Sequence, residues 1–151
     1  MLVNKPKTKI LVDGGDPAET SKIKDLLGYV DGQTTNPSLI AKNPEIRRLV
    51  ASGHRLSRQE ENEEYKKIVR RISPLVGDAG VSIEVFANLD TPAEEMVAQG
   101  KEMFSWLPNA YIKYPCTHEG LRASQRAGRE GLRVNLTLCF SQEQAAAVYG
   151  A

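Results

Sequence analysis

Lys113 stands inside an apolar run, Ala-Tyr-Ile-Lys-Tyr-Pro, from Ala110 to Pro115. The run is bounded by Pro108-Asn109 and Pro115, which marks a short buried strand. A buried ammonium must be paired or must give up its proton. Burial lowers the pKa of a lysine, and a neutral amine is a nucleophile that forms a Schiff base with a carbonyl. Taken alone, the segment also allows a strand-end lysine that reaches water along its own apolar stem.

Other polar groups recur at matching places in the strand-like runs. Successive side chains of a strand point to opposite faces. In the third run, Val81, Ile83, Val85 and Ala87 share one face, and Ser82, Glu84 and Phe86 share the other. In the fourth, Ala110, Ile112 and Tyr114 oppose Tyr111 and Lys113; in the fifth, Val134, Leu136 and Leu138 oppose Asn135 and Thr137. In the first, Ile10 and Val12 oppose Leu11 and Asp13. One face is apolar throughout, and the other carries polar groups toward the C-terminal half of each strand. A doubly wound sheet covered by helices on both sides would avoid that pattern. A barrel accounts for it: helices cover the outside, and the lumen near the C-terminal rim collects Asp13, Glu84, Lys113 and Thr137, where barrel active sites lie.

The elements that must position these groups alternate. Lys9 to Asp13 reads as a first strand. Asp16-Pro17-Ala18-Glu19 opens a helix, with Asp16 as cap, Glu19 closing a capping box and Gly28 ending it. Tyr29 to Gln33 reads as a second strand that runs into a turn-rich Thr-Thr-Asn-Pro-Ser. Asn43 to Arg58 reads as a small helix plus a loop, and Gln59 to Ser73 as a helix with Tyr65, Ile68, Val69 and Ile72 at helical spacing and a Glu63–Lys67 pair outside. Val81 to Ala87 is the third strand. Thr91-Pro92-Ala93-Glu94 opens the next helix with a second box, and Met96, Val97, Met103 and Phe104 line its inner face. After the lysine strand, Thr117 caps a helix from His118 to Gly128. Arg133 to Leu138 is the fifth strand, and Ser141-Gln142-Glu143-Gln144 starts a last helix. This order implies an α/β fold with parallel strands and right-handed crossovers.

Bulk properties narrow the function. The 151 residues suit one domain, 40% hydrophobic and 26% charged, an ordinary globular composition. A formal net charge of +1 offers nothing to nucleic acid or a membrane surface, and no apolar stretch reaches membrane-spanning length. Met1 to Lys9 reads as a short polar tail without a signal core. No Gly-rich phosphate fingerprint follows the first strand. Cys116 and Cys139 stand far apart in the chain, fit no metal or redox spacing, and read as small strand-end residues of a reducing cytoplasm. His54 and His118 read as surface residues. Arg122, Arg126, Arg129 and Arg133 read as solvated faces.

Asp31-Gly32-Gln33-Thr34-Thr35-Asn36-Pro37-Ser38 resembles the Asp-Gly-x-Thr-Thr-Asn-Pro-Ser segment of the transaldolase family. Tyr111 to Leu121 resembles that family's Schiff-base lysine segment, Asn135 to Ser141 its following strand, and Ser82 to Val85 its acid-bearing strand. The segments occur in the family's order and cover most of the chain. The resemblance implies a (β/α)8 barrel and a class I aldolase chemistry without cofactor or metal. Lys113 would form the imine with a ketose phosphate. Asp13 would exchange a proton with the hydroxyl beside the breaking carbon–carbon bond. Glu84 and Thr137 would hold the relay water, and Asn36, Thr34 and Asn135 would bind substrate. Two carboxylates facing one lysine would tend to keep it charged, so a working site would separate them by water or hydrogen bonds, or leave one protonated. Gly14 stands where the family has a small hydroxyl residue or alanine, Gln33 replaces a valine, and Tyr114 an aliphatic. Glu84 is the carboxylate of transaldolases proper, where the fructose-6-phosphate aldolase subgroup tends to glutamine. The resemblance therefore implies transfer of a dihydroxyacetone unit from ketose phosphate to aldose phosphate in the cytoplasmic pentose phosphate pathway. The alternatives are a fructose-6-phosphate aldolase-like lyase and an inactive barrel fragment acting as an assembly partner.

Length is the one conflict. About five β/α units are legible, residues 1–151 forming a single domain, where a closed barrel takes eight. The family's Ser-Pro-Phe-x-Gly-Arg strand and a later arginine, which bind the substrate phosphate, do not occur. The first and fifth strands would be open edges. The expectation is the N-terminal part of a longer polypeptide, or a homo-oligomer in which a second chain completes the barrel.

Overall fold

The computed structural model describes residues 5–151, so Met1 to Asn4 of the expected tail lie outside the described residues. The chain forms two compact units, one ending at Val81 and one running from Ser82 to Ala151. The fold is α/β, with five strands each followed by helix, in agreement with five units of a (β/α) barrel.

In the first unit, β1 (Val12–Asp13) pairs in parallel with β2 (Gln33–Thr34), Val12 beside Gln33 and Asp13 beside Thr34. β1 is shorter than predicted, and β2 is both shorter and displaced, beginning at Gln33 where the predicted strand ends and taking in Thr34 of the segment read as a turn. Ahead of Val12 the Ile10 amide donates to the Asp31 carboxylate at 2.9 Å, where a longer ladder would use a backbone carbonyl. Between them lies α1 (Pro17–Leu27), closed by Gly28 in the left-handed region at φ 78°. Asp16 caps α1 by accepting from the Ala18 amide, not the Glu19 amide that a capping box would use. After β2 come α2 (Pro37–Ala41), α3 (Pro44–Ala51) and α4 (Arg58–Val76). The segment read as one small helix plus a loop is thus α3 and its loop, with α2 preceding it. α4 runs through Pro74; a proline in the last turn removes one amide donor, and buried Ile72 and Val76 on either side hold that turn. Its outer face pairs Lys67 with Glu64 at 2.6 Å, one residue from the predicted Glu63.

In the second unit, β3 (Val81–Glu84, its first residue ending the other unit), β4 (Ala110–Pro115) and β5 (Val134–Thr137) follow one another in sheet order. The register sets Ile112 beside Val134, Lys113 beside Asn135, Tyr114 beside Leu136 and Pro115 beside Thr137. β3 stops before Ala87 because Phe86 turns to a side chain: its amide donates to Gln99 Oε1 at 2.9 Å and its carbonyl accepts from Gln99 Nε2 at 3.1 Å. β5 stops before Leu138, which adopts φ 63°. The helices are α5 (Ala93–Phe104), α6 (His118–Arg129) and α7 (Gln142–Gly150). Thr117 and Ser141 cap α6 and α7 as predicted. The box predicted for α5 does not form. Thr91 Oγ1 accepts from the Asn88 amide instead, and the Ala93 amide donates to Glu119 Oε2 of α6 at 3.0 Å. The core under these helices holds Ile83, Val85, Ile112 and Tyr114, from the predicted apolar faces of the third and fourth strands, and Met96 and Met103 from the predicted inner face of α5.

Candidate active site

Lys113 is only 5% exposed, on a strand flanked by β3 and β5. Its Nζ lies 3.1 Å from Glu84 Oε2. The alternative of a strand-end lysine reaching water is therefore overturned: the amine is buried and paired. Of the two expected arrangements, carboxylates held apart or one of them protonated, the first does not hold for Glu84, which touches the amine directly. A carboxylate at that distance offsets the cost of burying the ammonium.

The same face carries Asn135, the register partner of Lys113, whose Nδ2 donates to Ser82 Oγ at 3.2 Å. Ser82 is on β3 and Asn135 on β5, with β4 between them. Strands two apart in a flat sheet are separated by about 9–10 Å. Two short side chains bridge that gap only if the sheet curls toward them, so the face bearing Lys113 is concave. Thr137, two residues beyond Asn135 and beside Pro115, is half-buried toward the C-terminal end. Ser82 was not singled out as a site residue; its place two residues before Glu84 on an alternating strand was the available signal.

The first unit gathers the remaining expected residues. Thr34 Oγ1 donates to Asp13 Oδ1 at 2.6 Å, across the register pair they form. Asp13 is exposed, and it borders a cleft of about 360 Å³ lined also by Asp16, Glu19, Lys42 and Arg47. Asn36 is the N-cap of α2, its Oδ1 accepting from the Leu39 amide at 2.8 Å. With the carbonyl end so engaged, the Nδ2 amino group is the end suited to donate to a ligand. Gln33, noted in the sequence as a departure, is fully buried. It accepts from Thr20 Oγ1 at 2.7 Å and donates to the Gly14 carbonyl at 2.9 Å, fixing the loop that follows Asp13. A Cβ at Gly15 would come within 2.7 Å of the Leu39 carbonyl oxygen, so that loop packs directly on the α2 backbone.

Two further expectations change. Arg133 is not merely solvated: it donates to the carbonyls of Ala110 at 2.8 Å and Pro108 at 2.7 Å and stacks over Phe104 and Tyr111, holding the start of β4. Cys116 and Cys139, distant in sequence, lie close enough for Cys139 to help push the Cys116 thiol up, after burial. His54 and His118 are exposed and lie against Glu60 and Glu119. Among the described residues no cluster of three or more His, Cys, Asp or Glu could hold a metal ion, and no helix is long and apolar enough to cross a membrane.

Residues 10–151 match the family described as Transaldolase/Fructose-6-phosphate aldolase. A probable transaldolase of Dehalococcoides mccartyi is 39% identical over 132 residues, 86% of this chain and 52% of the relative. One of Roseiflexus sp. is 41% identical over 118 residues, 78% of this chain and 45% of the relative. One of Streptococcus agalactiae is 34% identical over 131 residues, 85% of this chain and 51% of the relative. The chain spans about half the length of the curated relatives it matches. A match over residues 10–151, nearly all of the chain, makes this protein a member of the transaldolase/fructose-6-phosphate aldolase family.

Proposed function

We propose that the protein transfers a dihydroxyacetone unit from a ketose phosphate to an aldose phosphate through an imine on Lys113, in the pentose phosphate pathway of the cytoplasm. The observation that carries this reading is the buried Lys113 amine, 3.1 Å from Glu84 on a concave polar face. Glu84 takes the ammonium proton, and the neutral amine attacks the ketose carbonyl. Glu84 and Thr137 hold the water that relays protons while the carbinolamine loses hydroxide. The protonated imine is the electron sink for cleavage, and Asp13 takes the proton of the hydroxyl beside the breaking bond. Thr34 orients Asp13 through its 2.6 Å hydrogen bond. Asn36 Nδ2 and Asn135 bind the dihydroxyacetone portion. No cofactor or metal enters the scheme.

The carboxylate at Glu84 supports transfer over simple cleavage. Incubation with fructose 6-phosphate tests the choice: transfer requires an aldose phosphate acceptor, whereas free dihydroxyacetone without acceptor assigns the lyase. An inert fragment would give neither. We further propose that another segment or a second copy of this chain pairs with β5, which among the described residues pairs with β4 alone and is half-exposed along its length.

A further inference from the structure

The two cysteines meet because the chain departs from a regular ladder. Pro115 and Thr137 are register partners, and the Cys116 amide donates to the Thr137 carbonyl at 2.7 Å. Continued as a strand, that register would set Cys116 beside Leu138 and send Cys139 to the opposite face. Leu138 instead adopts φ 63°, a left-handed conformation that costs a non-glycine residue about 1 kcal/mol or more. This turn breaks the alternation just ahead of Cys139, whose thiol is near enough to that of Cys116 to act on it. Both thiols are free, Cys139 exposed and Cys116 half-buried.

We propose that Cys116 and Cys139 are a reversible dithiol–disulfide site, oxidised by a hydroperoxide. The exposed Cys139 thiolate attacks the peroxide oxygen; the O–O bond breaks, and the leaving hydroxide takes a proton to become water. Cys116 then attacks the resulting sulfenic sulfur. The S–S bond forms, the S–OH bond breaks, and the Cys116 proton leaves with hydroxide as a second water. Two thiols are oxidised and one peroxide is reduced. The division of roles follows from exposure. Burial first, and the neighbouring Cys139 next, push the Cys116 thiol up, which keeps it protonated until a sulfenic acid stands beside it. Among the described residues no third His, Cys, Asp or Glu joins the pair in a cluster that could hold a metal ion.

The test uses the full chain, reduced, then exposed to equimolar hydrogen peroxide, unfolded and alkylated. The expected mass is the monomer without alkyl groups, with one peptide linked between Cys116 and Cys139, and dithiothreitol restores both alkylation sites. The folded chain should cross-link more than about tenfold faster than the urea-unfolded chain, because the fold supplies the proximity. In Cys116→Ser, Cys139 should yield a trappable sulfenic acid or a disulfide-linked dimer instead. Two alkylated cysteines after peroxide, dimers only, or equal rates in folded and unfolded chain would overturn the proposal; the last comparison needs no variant.

Discussion

Asn135 donates to Ser82 across the whole width of β4, at 3.2 Å, directly beside the lysine strand. This bond is the most direct sign that the second unit bends toward its polar face. A side chain–side chain hydrogen bond contributes about 0.5–1.5 kcal/mol, so Ser82→Ala and Asn135→Ala should show a coupling energy of that size in a double-mutant cycle by urea unfolding. Strict additivity would mean that the bond does not hold the curvature.

Tyr114 turns its ring away from Lys113 into the core, against the α5 backbone at Gly100. Its buried hydroxyl has no hydrogen-bond partner among the described residues, and burial pushes its pKa far up. Removing an unpaired buried hydroxyl relieves a desolvation cost, so Tyr114→Phe should match or exceed the native stability by up to about 1–2 kcal/mol. A Cβ at Gly100 would collide with that hydroxyl and stand 3.1 Å from Ile112 Cγ2. Gly100→Ala should therefore cost about 1–3 kcal/mol in the native background and less beside Tyr114→Phe. Chemical denaturation of the four combinations measures both.

Glu119 links α6 to α5. Its bond from the Ala93 amide, then its bonds with Arg122 and His118, hold its carboxyl down at about 2. An unfolded glutamate titrates near about 4.3. A depressed folded pKa gives stability that is complete above the unfolded value and is lost as pH falls from about 4.3 toward 2. Glu119→Gln should lower the melting temperature at pH 7. Its difference from the native protein should shrink through that acid window and vanish near pH 2. A constant difference across the window would contradict the assignment.

The elements most legible in the sequence were those with local signals. β4 was bounded by prolines and matches Ala110 to Pro115; the Thr117 and Ser141 caps sit where their residue types put them. The alternation of β3, β4 and β5 was legible too, because one buried face imposes period two, and it set Glu84, Lys113 and Asn135 on one side. What stayed hidden depends on register and on side chains arriving from other elements. Glu119 satisfies the start of α5 in place of its own box, Gln33 uses its amide as internal scaffolding, and Gln99 ends β3. The approach of Cys139 to Cys116 needs the left-handed turn at Leu138, which a leucine does not advertise.

Glu84 is proposed as the group that receives the Lys113 proton and manages the relay water. Glu84→Gln keeps an acceptor beside the amine but cannot take up a proton. Imine formation should slow by roughly ten- to a thousandfold, the upper part of which overlaps the range for one acid–base group. Rapid-quench trapping of the imine measures this, and an unchanged rate removes Glu84 from the mechanism.

The central claim is that Lys113 bonds covalently with a ketose phosphate. Borohydride reduction of the full chain incubated with fructose 6-phosphate, followed by peptide mapping, tests it most directly. The predicted result is a stable sugar adduct on the β4 peptide at Lys113, absent from Lys113→Ala. An unmodified Lys113, or an adduct confined to surface lysines, would contradict it.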